Sequence, residues 1–216
     1  MMTPMFELKN LVFFTRLKAL FEAEGFEYIP VQNQFKKYTE SGFYNVILSP
    51  TWYGELVYFE LHFGARINLV EDTISPYSHG LRGYKEESNT CITNLGKYLE
   101  KPFYKLKASS PQEVRSTGDY IYDFFQREGL AFLYSLSDLA KVEHAFNAAP
   151  HKESVLAFNH ELRCFRGITL AALTQSHAWE RVHQAYQAYF EQRKSPLIIR
   201  ENYQRLVSFL TNMGLN

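Results

Sequence analysis

The sequence predicts an α+β fold: an N-terminal helix, an antiparallel β-meander of three to five strands packed under helices, and a helical C-terminal part. Two patterns predict it. From Val57 the odd positions Val57, Phe59, Leu61, Phe63, Ala65, Ile67 and Leu69 are all apolar, while the even positions between them are Tyr58, Glu60, His62, Gly64, Arg66 and Asn68. A period of two suits a half-buried strand, because successive side chains point to opposite faces. Strand-like patterning is confined to residues 26–70, and the spacing is helical afterwards. The predicted division is an α+β domain over 1–149 and a C-terminal segment of three helices over 150–216, with Pro150 at the boundary.

Each element has its own signal. Thr3 as N-cap with Pro4 at the first helical position opens a helix over 4–24, carried by Phe6, Phe13, Leu17, Leu20 and Phe21 and ended by Gly25. Residues 26–31 and 34–39 read as short strands, and Ser41-Gly42 as a tight turn into a strand over 43–49. Residues 50–54 read as the next turn, and 55–70 as one long strand bent at Gly64. Residues 71–88 hold Pro76, Gly80 and Gly83 without periodicity and read as a loop. Asn89 is placed as the cap of a helix carrying Ile92, Leu95 and Leu99, and 103–106 as a short extended piece. Ser110 with Glu113 is a capping box for a helix that Gly129 would stop. Ser137 is expected to cap a short helix with Leu139, Val142 and Phe146. The last three helices fall within 153–174, with Gly167 as a weak point, after Ser176, and after Ser195-Pro196. No repeat of 34 residues is found, which excludes a tetratricopeptide solenoid.

Lys+Arg and Asp+Glu number 23 each, and residues 1–110 hold twelve of each sign. No half is basic, so neither nucleic acid nor an anionic membrane surface is an expected partner. The two cysteines, Cys91 and Cys164, have no metal-ligand spacing and suit a reducing compartment. The segment MMTPMFELKN lacks a basic stretch followed by an apolar run, and no window resembles a membrane span. A cytoplasmic protein is expected.

The order of elements resembles a family of small uncharacterised bacterial α+β domains, some of them similar to immunity proteins of toxin systems. The resemblance runs over about residues 6–147. It rests on Glu24-Gly25-Phe26 at a helix end, the strand ending Phe63-Gly64-Ala65-Arg66-Ile67, the helix Asp119 to Arg127, and Glu128-Gly129-Leu130-Ala131-Phe132-Leu133. It implies a toxin-like protein partner and supplies no catalytic residues.

The candidate site is the even face of the long strand with the turn before it: Trp52, Tyr53, Tyr58, Glu60, His62, Arg66 and Asn68. Aromatics are enriched at binding hot spots, and a polar alternate face is also what a solvated antiparallel sheet ordinarily shows. The rival reading is a small-molecule enzyme in which Glu60 orients His62 as a base and Arg66 holds an anion. Glu180-x-x-His183, with His177 before it, is one copy of a motif that a di-iron bundle needs twice. His160-Glu161 starts like a zincin motif but lacks its second histidine. Cys91 near a helix start, and Ser137 with Lys141, complete the candidates, and each has a simpler structural reading. The expected function is therefore non-enzymatic protein binding, without metal or cofactor.

Overall fold

The computed structural model describes residues 11, 13–78, 86–101 and 103–214. The expected start of the first helix at Thr3, Pro4 and Phe6 lies outside them, as do Gly80 and Gly83. Among the described residues a six-stranded antiparallel sheet and a helical C-terminal part give the α+β class.

Helix α1 (Phe14–Ala23) buries Phe14, Leu17 and Phe21. It ends as expected at Gly25, whose φ of 81° is open to glycine without strain. The amides of Phe26 and Gly25 return to the carbonyls of Phe21 and Glu22 at 2.9 and 3.0 Å, a Schellman closure. Strands β1 (Glu27–Ile29), β2 (Gln34–Thr39) and β3 (Gly42–Tyr53) follow. The register Phe35↔Val46 and Thr39↔Gly42 places the hairpin turn at Glu40-Ser41. Residues 50–53, expected as a turn, continue β3, and the chain reverses instead at Gly54, φ 63°.

Strand β4 (Leu56–Ile67) keeps the alternation: Val57, Phe59, Leu61, Phe63, Ala65 and Ile67 are buried, and Tyr58, Glu60, His62 and Arg66 are half-buried. It stops three residues before the expected end. The Ile67 amide donates to the Thr90 hydroxyl at 2.9 Å, and helix α2 (Asn68–Ile74) begins. Leu69, the last residue of the apolar series, is accordingly exposed, and Val70 and Ile74 are buried at helical spacing. The first part of the expected 71–88 loop is thus helix.

The expected helix after Asn89 is first a strand, β5 (Cys91–Asn94), with Cys91 and Thr93 buried. Only then does the short α3 (Leu95–Tyr98) form, capped by Asn94, whose side chain accepts from the Lys97 amide at 2.8 Å. Strand β6 is Leu106–Ala108. The sheet order is β1-β2-β3-β4-β5, with β6 also on β4. Five strands thus follow in meander order, as expected, and β6 adds a sixth to the sheet.

Ser110 caps α4 (Pro111–Phe124), accepting from the Glu113 amide at 3.2 Å, while the Glu113 carboxylate returns to the amide and hydroxyl of Ser109. Gly129 does not stop this helix. A π-helical turn (Phe125–Gly129) leads into α5 (Leu130–Ser135). A Cβ on Gly129 would stand 2.7 Å from the Phe125 ring and 2.8 Å from the Phe124 ring, so packing accounts for the glycine. Asp138, one residue beyond the expected Ser137, caps α6 (Leu139–Asn147). Asn159 caps α7 (His160–Leu173). Helices α8 (Trp179–Gln192) and α9 (Leu197–Asn212) begin after Ala178 and Pro196 without side-chain caps. The Ser195 hydroxyl donates instead to Glu161 at 2.6 Å.

By contacts the chain divides into two compact units, Met1–Gly64 with Thr93–Tyr134, and Ala65–Ile92 with Ser135–Asn216. In the first, phenylalanines cover the odd face of the sheet. Phe21 stacks on Phe35 at 4.6 Å and meets Phe125 at 5.0 Å, and Phe63 meets Phe124, Phe125 and Phe132 at 5.6–5.8 Å. In the second, α7 is buried from Arg163 to Ala172, with Phe165, Ile168, Tyr186, Phe190, Tyr203 and Leu206 at its core. Gly167 is a contact point and not a weakness: a Cβ there would fall 2.4 Å from the Tyr186 hydroxyl.

Gly118 on α4 lies against Phe13, the residue before α1. A Cβ on it would lie 2.1 Å from the Phe13 side chain. Gly118→Ala gains about 1 kcal/mol of helix propensity and loses about 1–3 kcal/mol to overpacking. Because the contact is so short, overpacking wins, and the variant is expected to melt several degrees below wild type. An equal or higher melting temperature would show that α1 shifts freely.

Candidate functional site

Strand alternation places Tyr58, Glu60 and His62 on one side of β4. Antiparallel pairing with β6 brings Tyr58 opposite Lys107 and Phe59 opposite Leu106. The same register continued by one residue sets Lys105 across from Glu60, and the two side chains form an ion pair. His62 completes the group, with Nε2 3.5 Å from the Glu60 carboxylate. At the adjoining turn Tyr53 stands 65% exposed, its ring edge-on to Tyr58 at 5.9 Å. Trp52 is half-buried on β3.

Lys105 holds the Glu60 carboxyl below its usual pKa, with burial opposing and His62 adding to the effect. Glu60 in turn raises the Lys105 ammonium, and the two tyrosines contribute. Glu60 is thus a stable anion at neutral pH, suited to pairing with a cation and a weak proton acceptor.

Arg66 and Asn68 belong to the second compact unit. The Arg66 guanidinium donates to Asn68 at 2.8 Å, to the Ser88 carbonyl at 3.2 Å and to Asp72 at 3.0 Å. Its side chain is 8% exposed. It fastens the start of α2 to the segment before β5, and those bonds occupy the donors that an anion clamp requires. The expected set therefore comprises an aromatic and charged group, the exposed Tyr53 with the half-buried Tyr58, Glu60 and His62, and a structural fastening, Arg66 and Asn68.

Sequence reasoning missed Lys105, although Lys105-Leu106-Lys107-Ala108 alternates like a strand, with both lysines on one face. It also missed Phe103, which is 99% exposed at a φ of 64°, a conformation bulky residues rarely adopt. The buried charges Glu71, Arg163 and Arg166 carried no sequence signal. Arg166 forks onto Glu71 at 2.7 and 3.1 Å, with both side chains under a tenth exposed.

The remaining candidates resolve structurally. Cys91 lies in β5, not at a helix start, and burial pushes its thiol up to about 12. Cys164 is likewise raised by burial. His183 is half-buried, with Nδ1 3.3 Å from the Tyr203 hydroxyl. His160 is also half-buried, where a surface position was expected. Among the described residues no group of three or more His, Cys, Asp and Glu is placed to hold a metal, and no helix is long and apolar enough to cross a membrane.

The two halves of the expected site respond differently to substitution. Glu60→Gln removes an exposed pair and is expected to leave the melting temperature within about 2 °C. Arg66→Ala removes three charge-assisted hydrogen bonds, two of them part-buried, and is expected to cost about 1.5–3 kcal/mol. Denaturant unfolding of both variants checks this, and equal losses would show that Arg66 is not a fastening.

No family model, curated protein or solved structure matches this chain, so its function has to be read from its own side chains.

Proposed function

We propose that this chain is a non-enzymatic, immunity-like bacterial protein that binds another protein, of toxin-like character, through the outer face of β4 and β6. The observation that carries this reading is the exposed Tyr53 packed edge-on to the half-buried Tyr58, beside the Glu60–Lys105 ion pair. Tyrosine offers a large, rigid contact area with a polar tip, and it is enriched where interfaces concentrate their energy. The charged pair beside it supplies orientation more than affinity. Phe103, two residues before Lys105, adds an apolar contact on the same connection. On this reading the protein works in the cytoplasm without metal, cofactor or nucleic acid.

The Glu60–His62 contact is the one feature that favours the rival enzyme reading. Against it stand the pairing of the Glu60 carboxylate with Lys105 and the engagement of Arg66.

The test is a titration against a partner recovered from the source cell and purified, starting with the product of the adjacent gene. Tyr53→Ala and Tyr58→Ala are expected to weaken binding about 30-fold or more each, and Glu60→Gln about 5- to 30-fold. Unchanged affinity in both tyrosine variants would remove this face from consideration. Catalytic turnover of a small molecule that is lost in His62→Gln would establish the enzyme instead.

A further inference from the structure

In the second compact unit, His160 opens α7 beside a cleft of about 510 Å³ whose lining includes Glu153, Tyr189 and Arg193. Its Nδ1 lies 3.3 Å from Nη1 of Arg163. A guanidinium only donates, so Nδ1 accepts, and the neutral ring carries its proton on Nε2. Nε2 is itself buried and, among the described residues, has no hydrogen-bond partner. The Tyr189 ring covers the imidazole at 4.2 Å.

Arg163 is 1% exposed. Its Nη2 donates to the carbonyls of Phe146 and Ala149, and its Nη1 to that of Lys152. These acceptors are the end of α6 and the start of the segment leading to α7. The guanidinium therefore ties residues 146–152 to α7, with His160 as one of its acceptors.

We propose that His160 and Arg163 form an acid-sensitive latch, in which protonation of His160 releases the 148–159 segment from α7. The imidazolium would carry two N–H donors. One would oppose the Arg163 donor and the other would have no acceptor. It would also place a positive charge at the N-terminus of a 14-residue helix, against the helix dipole. The other charges facing the ring do not cancel this. Arg193 on α8 and Lys152 on the segment are cations. Tyr186 and Tyr189 are neutral. Glu161 is engaged by Ser195, and Glu153 is exposed.

Burial, then Arg163, lower the His160 pKa, with Glu153 opposing. The sign follows from linkage. Above the unfolded value of about 6.5 neither state is protonated and stability is flat. Below it the unfolded chain takes up a proton that the native chain resists, so native stability falls with pH until the folded value is reached. His183 provides a contrast. Burial lowers its pKa too, but its partner is the Tyr203 hydroxyl, which accepts as readily as it donates.

Hydrogen exchange of the full chain at about pH 7.5 and 5.5, corrected for intrinsic rates, tests the latch. In wild type, protection of the peptide over 148–159 is expected to drop more than that of peptides from the middle of α7, by up to about ten-fold, the limit for one proton at one pH unit below 6.5. In His160→Gln, whose amide oxygen accepts from Arg163 and does not titrate, that extra loss disappears. In His183→Gln it remains. A pH-independent peptide in wild type, or the same loss in His160→Gln, overturns the proposal. If His160→Gln is unprotected at both pH values, nitrogen NMR of the wild-type imidazole decides. The Nε2–H tautomer at neutral pH, titrating below about 6.5, supports the latch, and the Nδ1–H tautomer overturns it.

Discussion

The alternation along β4 is the constraint on which the first compact unit depends. A strand with one side buried needs a complete apolar cover for that side and leaves the other side free for chemistry. Phe59 and Phe63 sit on the buried side and require α1 and the α4–α5 run above them. That requirement explains the density of phenylalanine in those helices and the glycines at 118 and 129, where rings and backbone come too close for a Cβ. A one-residue slip of β4 would bury Glu60 and His62 and expose four or more large apolar side chains. Each of these is worth about 1.5–3 kcal/mol, so the register is firmly set.

The second unit is organised differently. Its helices enclose charged groups that have to be satisfied internally. The Arg166–Glu71 fork joins α7 to α2 with two hydrogen bonds, and removal of either partner from such a site costs about 3–5 kcal/mol. Arg163 has no such carboxylate fork and uses carbonyl oxygens instead, which carry the partial negative charge of a helix end. Asn147 donates to the Gly167 carbonyl and accepts from Tyr186, so a polar network runs through this core. Networks of this kind fix geometry closely, and one altered donor or acceptor in them is felt by its neighbours.

These two constructions suit different tasks. The open side of β4 and β6 presents tyrosines and a charged pair on a rigid sheet, where a contact surface gains from being preorganised. The polar core around Arg163 is sensitive to protonation of His160 because Nδ1 accepts from the guanidinium and, among the described residues, Nε2 has no partner.

Periodicity and caps by themselves determined the α+β class, the alternation of β4, the Gly25 closure and the Ser110 cap, because each depends on neighbours within a few residues. They also placed Tyr58, Glu60 and His62 together, since strand period alone puts them on one side of β4. Tertiary structure decided the rest. Asn89 failed as a cap because pairing in the sheet made 91–94 a strand, an outcome local propensity does not contain. Gly129 failed as a stop because two phenylalanine rings pack over it. Lys105 joined Glu60 only through strand pairing across 45 residues, and Arg66 left the expected site because Asn68, Ser88 and Asp72 engage its donors. The bond between His160 and Arg163 is local in sequence, but its meaning comes from the carbonyls of residues 146–152, which only the folded chain brings to the guanidinium.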